Sequence, residues 1–272
     1  MTSPALQEIL ALLGCPAAGN PAQYLFERAI EAARLDWRFL TCDVPPERLA
    51  EALAGAAAMG FRGCLLSGPL REAALPLLAS ASPAAGFSGA VSLVERRDGA
   101  LAGHMTDGRG VVEALRGHCD PSGAGVLVVG AGPAARATAL ELSLAGAATI
   151  GVSDPAADRA QSLVEALLGL GAAPAVAVPW QPALEVPEEV GIVVLAGPAT
   201  TGLAALRGDL VVADVLLASQ PSAAASAAAA HGVCLVDGLE IHAAQTAIDF
   251  HALTGLETDA DLLRDALDEF LS

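Results

Sequence analysis

The chain has 272 residues, 54% of them hydrophobic but only 3% aromatic, and a formal net charge of −17 at pH 7. That charge argues against nucleic acid or an anionic membrane as partner, and leaves any anionic ligand dependent on local arginines or helix N-termini. All 14 basic side chains are arginine. This excludes Schiff-base chemistry, a P-loop lysine and lysine acid–base catalysis, because a guanidinium stays protonated at any working pH.

The first hundred residues alternate helix and strand. Gln23–Leu35 reads as a helix, Trp37–Asp43 as a strand, Pro46–Met59 as a helix, Gly63–Ser67 as a strand and Arg71–Leu78 as a helix. Gly110–Arg116 begins a connecting helix, and Pro121-Ser122-Gly123 marks a boundary. Val126-Leu127-Val128-Val129 is then wholly apolar and mostly β-branched, as expected of a strand buried on both faces. A glycine turn follows, Gly130-Ala131-Gly132-Pro133-Ala134-Ala135, then a helix over Arg136–Ala145 and a strand over Ala148–Val152. Beyond it come a helix at Asp158–Gly169 and strands at Ala175–Val178, Gly191–Leu195 and Leu210–Val215. An Ala-rich helix, Ser222–His231, precedes a strand at Val233–Val236, and the tail reads as helices over Ala243–Leu253 and Asp259–Leu271. Such alternation predicts an α/β fold: an N-terminal α/β substrate-binding domain, and a Rossmann-type doubly wound dinucleotide-binding domain with ligands at the strand C-termini. The expected division is residues 1–105, completed by helices in 240–272, against 106–239.

The glycine turn stands between strand and helix, where a dinucleotide fingerprint belongs. Gly130 permits the tight turn, Gly132 lets backbone approach a pyrophosphate, and Ala135 is the allowed third residue. N–H groups at the helix start would hold phosphates, although Pro133 removes one donor. Gly130, Ala131, Gly132, Pro133, Ala134 and Ala135 are therefore candidate cofactor contacts, unless the unit kept its packing glycines and lost the cofactor. Ser153 and Asp154 end the next strand, where an acidic side chain holds the ribose of NAD; equally, Asp154-Pro155 could start a turn and cap a helix. With no arginine directly beside Asp154, the expected cofactor is NAD, with NADP possible through Arg159 curling back.

The five cysteines are odd in number, scattered and never spaced C-x-x-C. They read as buried small hydrophobes of a reducing cytoplasm, and no metal-ligand spacing is present. No basic region followed by an apolar run opens the chain, so no signal peptide is expected, and no stretch is long and apolar enough to suggest a membrane span.

Several segments together resemble one family. Met59-Gly60-Phe61-Arg62-Gly63-Cys64-Leu65-Leu66-Ser67-Gly68-Pro69-Leu70-Arg71, Gly103-His104-Met105-Thr106-Asp107-Gly108-Arg109-Gly110, the glycine turn through Ala137, and Gly238-Leu239-Glu240-Ile241-His242-Ala243-Ala244-Gln245 followed by Phe250 and Thr254-Gly255 are similar to shikimate and quinate dehydrogenases. The resemblance implies a cytoplasmic NAD(P)-dependent oxidoreductase of aromatic amino acid biosynthesis, acting on a cyclic carboxylic acid as monomer or homodimer. In that family a lysine and an aspartate are the catalytic pair; Arg71 stands at the lysine position and Asp107 at the aspartate. The same alignment puts Asn20, Ser67, Ser92 and Gln245 at substrate-binding positions. It puts Leu65, Leu217 and Ala18 where the family has polar groups. Arg71 and Asp107 could instead form a structural ion pair, and His104 or His242 could replace the missing base. The competing expectation is a catalytically silent relative that binds a small molecule or nucleotide; a third is a non-redox step on a cyclic acid.

Overall fold

A computed structural model describes residues 7–171, 173–197, 202–218 and 220–272; the first six residues of the expected N-terminal domain lie outside these. The chain divides into two units, residues 1–106 with 246–272, and residues 107–245.

The first unit opens with strand β1 (Glu8–Gly14), helix α1 (Ala22–Ala32), β2 (Trp37–Asp43), α2 (Leu49–Ala58) and β3 (Gly63–Leu66). There follow the short helix α3 (Leu70–Ala74), β4 (Ser80–Ala81), α4 (Pro83–Ser88), β5 (Leu93–Arg97) and β6 (Ala100–His104). Its six-stranded sheet runs β2-β1-β3-β5-β6-β4. β1 pairs in parallel with both neighbours, whereas β5 is antiparallel to β3 and to β6. The reversal follows from two residues. Asp98 and Gly99 have φ of 51° and 82°, and they join Arg97 to the paired Ala100 as a two-residue hairpin. Asp-Gly is the pair that tolerates positive φ at both central positions, which matches the twist of the strands.

The second unit begins with α5 (Asp107–Arg116), β7 (Gly125–Val129), α6 (Pro133–Leu144), β8 (Thr149–Ser153), α7 (Ala157–Leu170) and β9 (Ala175–Ala177). It continues with β10 (Ala183–Glu185), β11 (Val190–Leu195), β12 (Gly202–Ala204), β13 (Val211–Asp214), α8 (Ala223–Ala230) and β14 (Cys234–Val236). Its main sheet has the order β14-β13-β11-β7-β8-β9, every pair parallel. This is the doubly wound order, reversing between β7 and β11. Leu127, Val193 and Val212 are fully buried in a core that α8 closes with Ala224, Ala225 and Ala228. Alanines there let the helix lie close on the sheet, which explains the Ala-rich run as a packing device.

Helix α9 (Gly238–Thr254) supplies its first residues to the second unit and its last to the first, and α10 (Ala260–Leu271) ends the chain. Within the first unit, Arg62 Nε donates to Leu253 O at 3.0 Å and Phe250 is fully buried 6.0 Å from Phe26, ring centroid to centroid. Arg28 and Glu269 pair at 2.9 Å between α1 and α10. Both partners are largely exposed, so this ion pair adds little to the apolar packing.

Elements absent from the sequence reading are β1, β4, the strands flanking the hairpin, α4 and the small β10–β12 pair. The helix expected over Arg71–Leu78 is shorter, because Pro76 turns the chain into a 3-10 helix over Leu75–Leu77. The cysteines also depart from expectation: Cys64 is buried, but Cys234 is exposed and the other three are intermediate.

Candidate active site

In the second unit the glycine loop is held from below. Gly130 N–H donates to Ser153 O at 2.7 Å, and Ala131 N–H to Asp154 Oδ2 at 2.8 Å. Gly130 has φ of 115°, and a Cβ there would sit 2.6 Å from Ala196 O in the turn after β11. No side chain fits, and no flexible group can yield. Gly132 caps α6 and carries no side chain where the guanidinium of Arg159 lies, 3.3 Å from the position a Cβ would take. Ala135 is fully buried and Ala131 nearly so, so these two shape the loop by packing. Pro133 occupies the first helical turn, where its missing N–H is least costly.

The placement of Asp154 changes the cofactor argument. Its carboxylate is buried and accepts from Ala131 N and, at 2.9 Å, from Ala156 N. It braces the loop and the entry to α7, the turn-and-cap alternative, rather than facing outward as a ribose acceptor. Ser153 is fully buried and serves through its backbone carbonyl. The cation at this corner is Arg159, on the first turn of α7, 58% exposed and 4.0 Å from Asp154. A basic residue six positions after the end of β8, within the first turn of α7, was the available sequence signal. The turn Ala196-Gly197, pressed against Gly130, was not singled out from sequence.

Asp107 begins α5, where the helix dipole favours negative charge. Gln245 Nε2 donates to Asp107 Oδ1 at 2.8 Å. The approach is possible because Gly110, one turn along α5, has no side chain: a Cβ there would lie 2.7 Å from Gln245 Cβ. Two residues 138 apart in sequence are thus joined, and the glycine in Asp107-Gly108-Arg109-Gly110 acquires a reason. On the same α9, His242 Nδ1 donates to Gly238 O at 2.8 Å. Leu217 lies on the loop after β13, which Asp214 fixes by accepting from Leu216 N and Ser222 N at 3.2 and 2.9 Å.

In the first unit, Arg71 lies on α3 and its Nε donates to Leu66 O at 3.0 Å. Ser67 follows β3, with its N–H on Leu13 O at 3.0 Å. Asn20 Oδ1 accepts from Ala22 N at 2.9 Å and starts α1. Ser92 is 2% exposed; its Oγ lies 2.9 Å from Thr106 Oγ1 and accepts from Thr106 N at 3.0 Å. The hydroxyl expected to meet substrate therefore fastens the segment after β6. Leu65 is buried within β3, and Ala18 is exposed. His104 Nε2 lies 3.3 Å from Glu95 Oε2, between β6 and β5.

Among the described residues no group of three or more His, Cys, Asp or Glu could hold a metal ion, and no helix is long and apolar enough to cross a membrane.

Residues 12–94 match the shikimate dehydrogenase substrate binding domain. A shikimate dehydrogenase (NADP(+)) of Citrifermentans bemidjiense is 34% identical over 268 residues, covering 94% of this chain and 92% of that one. The chain belongs to the shikimate dehydrogenase family. A second family member, from Thermococcus kodakarensis, is 31% identical over 97% of both chains. Among solved structures, the family enzyme of Thermus thermophilus in complex with NADP(H) and shikimate has a TM-score of 0.84 and 30% identity, over 97% of this chain and 100% of that one. The 5-ketofructose reductase of a Gluconobacter strain has a TM-score of 0.90 and 30% identity, over 97% of this chain and 99% of that one.

Proposed function

We propose that this chain is an NAD(P)-dependent oxidoreductase of the shikimate dehydrogenase type, with NADP as its preferred cofactor and a substrate other than shikimate. The observation that carries the reading is Asp107 held by Gln245 in a chain that contains no lysine. The family relatives named above are NADP(+) enzymes, and the glycine loop fits a dinucleotide. The N–H groups opening α6 would take the pyrophosphate, and Arg159 beside Gly132 is placed for a 2′-phosphate. This reading departs from the expectation of NAD, which rested on Asp154 as ribose acceptor and on no arginine directly beside it; the NADP(+) relatives and Arg159 favour NADP. The cofactor supplies the hydride acceptor or donor; everything else falls to the protein. Oxidising a secondary alcohol also needs a proton removed from its hydroxyl. Arg71 can stabilise an alkoxide by charge but cannot take that proton. Asp107 is left as the base, with Gln245 fixing which way its carboxylate points.

The substrate is less hydroxylated than shikimate. Leu65, Leu217 and Ala18 stand at family polar positions, and each hydroxyl left unpaired costs about 1–3 kcal/mol. Two such losses weaken binding about a hundredfold. The 5-ketofructose reductase, at the same 30% identity as the Thermus enzyme, is named for a substrate other than shikimate. The missing lysine favours a second reading, a relative that binds the dinucleotide without turnover. The deciding experiment is calorimetric titration with NADPH and NADH, then steady-state assay of wild type and Arg71→Lys on a panel of cyclic hydroxy acids, keto acids and keto sugars. Turnover on some panel member, raised by Arg71→Lys with a new pH dependence between neutral and alkaline, supports the enzyme. Tight cofactor binding with no hydride transfer in either protein supports the silent relative, and ordinary turnover on shikimate sinks the substrate claim.

A further inference from the structure

Away from the glycine loop, the second unit brings together a thiol, an imidazole and a carboxylate. Cys234, exposed on the sheet-edge strand β14, has its Sγ 3.6 Å from His118 Nδ1. His118 Nε2 lies 2.9 Å from Glu240 Oε1, both side chains 31% exposed. The imidazole is held in place: His118 N–H and Cys119 N–H donate to Leu115 O at 2.9 and 2.8 Å, in the turn that ends α5. Glu240 is held too, on the first turn of α9, with its N–H on Asp237 Oδ1 at 2.9 Å.

The chemistry of the three groups fixes the proton. An ionised carboxylate only accepts, so Nε2 of a neutral His118 carries the hydrogen toward Glu240. Nδ1 then presents its lone pair to the Cys234 thiol. Nucleophile, base and orienting carboxylate stand in the order that activates a thiol, whatever the fold that carries them. Cys119 is the neighbouring thiol, but burial, then the charges of Cys234 and Asp120, push its pKa up, which keeps it protonated. The reactive sulfur of the cluster is the exposed one.

We propose that Cys234 is a nucleophilic thiol, activated by His118 and Glu240, and the site at which hydroperoxides oxidise this protein. The sulfur attacks one peroxide oxygen; an S–O bond forms and the O–O bond breaks. The thiol proton passes to His118 Nδ1 and on to the departing oxygen, which leaves as water or an alcohol. Sulfur loses two electrons, the peroxide gains them, and the product is a sulfenic acid.

The test is a pulse of hydrogen peroxide in the presence of dimedone, followed by mass spectrometry of each cysteine. Cys234 should label about tenfold faster or more than the half-exposed Cys42 and Cys15. His118→Asn should remove most of that advantage without changing Cys42, and Glu240→Gln should remove part of it. Circular dichroism reports whether each variant folds. If His118→Asn does not fold, Glu240→Gln and the wild-type ranking decide. Labelling of Cys234 at the rate of Cys42, or a rate unchanged in the folded variants, would overturn the proposal.

Discussion

The two six-stranded sheets of this chain are built on different rules. In the second unit every strand runs parallel, and the central strands are apolar on both faces: four of the five residues of β7 are buried, as are all four of β13. In the first unit β5 ends in Glu95-Arg96-Arg97 and turns back through a hairpin, and only its first two residues are buried. The glycines follow the same division. Gly130 is demanded by its neighbours as well as by its φ, whereas Gly99 has positive φ and nothing within 4 Å of an added Cβ. A parallel sheet puts its tight turns against other backbone at the strand C-termini, where the ligand loop must also fit. A hairpin puts its turn in solvent, where only the local conformation matters.

The largest expected effect sharpens the functional side of this contrast. Asp107→Asn keeps the contact with Gln245 possible but removes the base, so kcat on a true substrate should fall about 10²–10⁴-fold with little change in melting temperature. A rate that survives removes Asp107 from the mechanism and points back to His242. Next comes the turn demanded by its neighbours. Gly130→Ala should destabilise the protein by about 3 kcal/mol or more, combining backbone strain with overpacking against Ala196, and should lower dinucleotide affinity. Thermal denaturation checks the first effect and calorimetry the second. The solvent turn should be milder: Gly99→Ala costs about 1–2 kcal/mol in the same melt and leaves cofactor affinity unchanged. Equal losses at the two glycines would break the comparison.

Arg159→Ala should weaken NADPH binding about 10- to 100-fold while leaving NADH binding nearly unaltered, the loss of a charge-assisted contact to phosphate. The smallest effect lies in β3. Burial pushes the Cys64 thiol from 9.0 up to about 12. The folded state keeps this proton while the unfolded chain releases it, so its stabilisation is intact below pH 9 and is lost as pH rises toward 12. Between about pH 9 and pH 10 the wild type should lose about 1 kcal/mol more than Cys64→Ala, as measured by denaturant titration.

The parallel sheet was largely legible because its residues satisfy one local rule: Val126–Val129, Gly191–Leu195 and Leu210–Ala213 are short apolar runs bounded by turn or polar residues. The mixed sheet was half legible. Trp37–Asp43 was read with its observed bounds, but β5 and β6 carry charge and short side chains, and the Asp98-Gly99 turn that joins them was not singled out. The candidate site divides similarly. The identities of Arg71, Asp107 and Gln245, the absence of lysine and the glycine spacing are properties of sequence, since a missing titratable amine excludes a mechanism in any fold. Which groups spend their hydrogen bonds inside the protein is not. Asp154 and Ser92 looked like ligand contacts because their positions in the chain allowed it. The folded chain gives Asp154 to the N–H groups of Ala131 and Ala156 and Ser92 to Thr106, because a buried polar group left unpaired would cost more than the fold can spare. The same tertiary accounting turned Arg159 toward Gly132 and set Cys234, His118 and Glu240 side by side. Those pairings join residues up to 122 positions apart, and packing, not sequence spacing, brings them together.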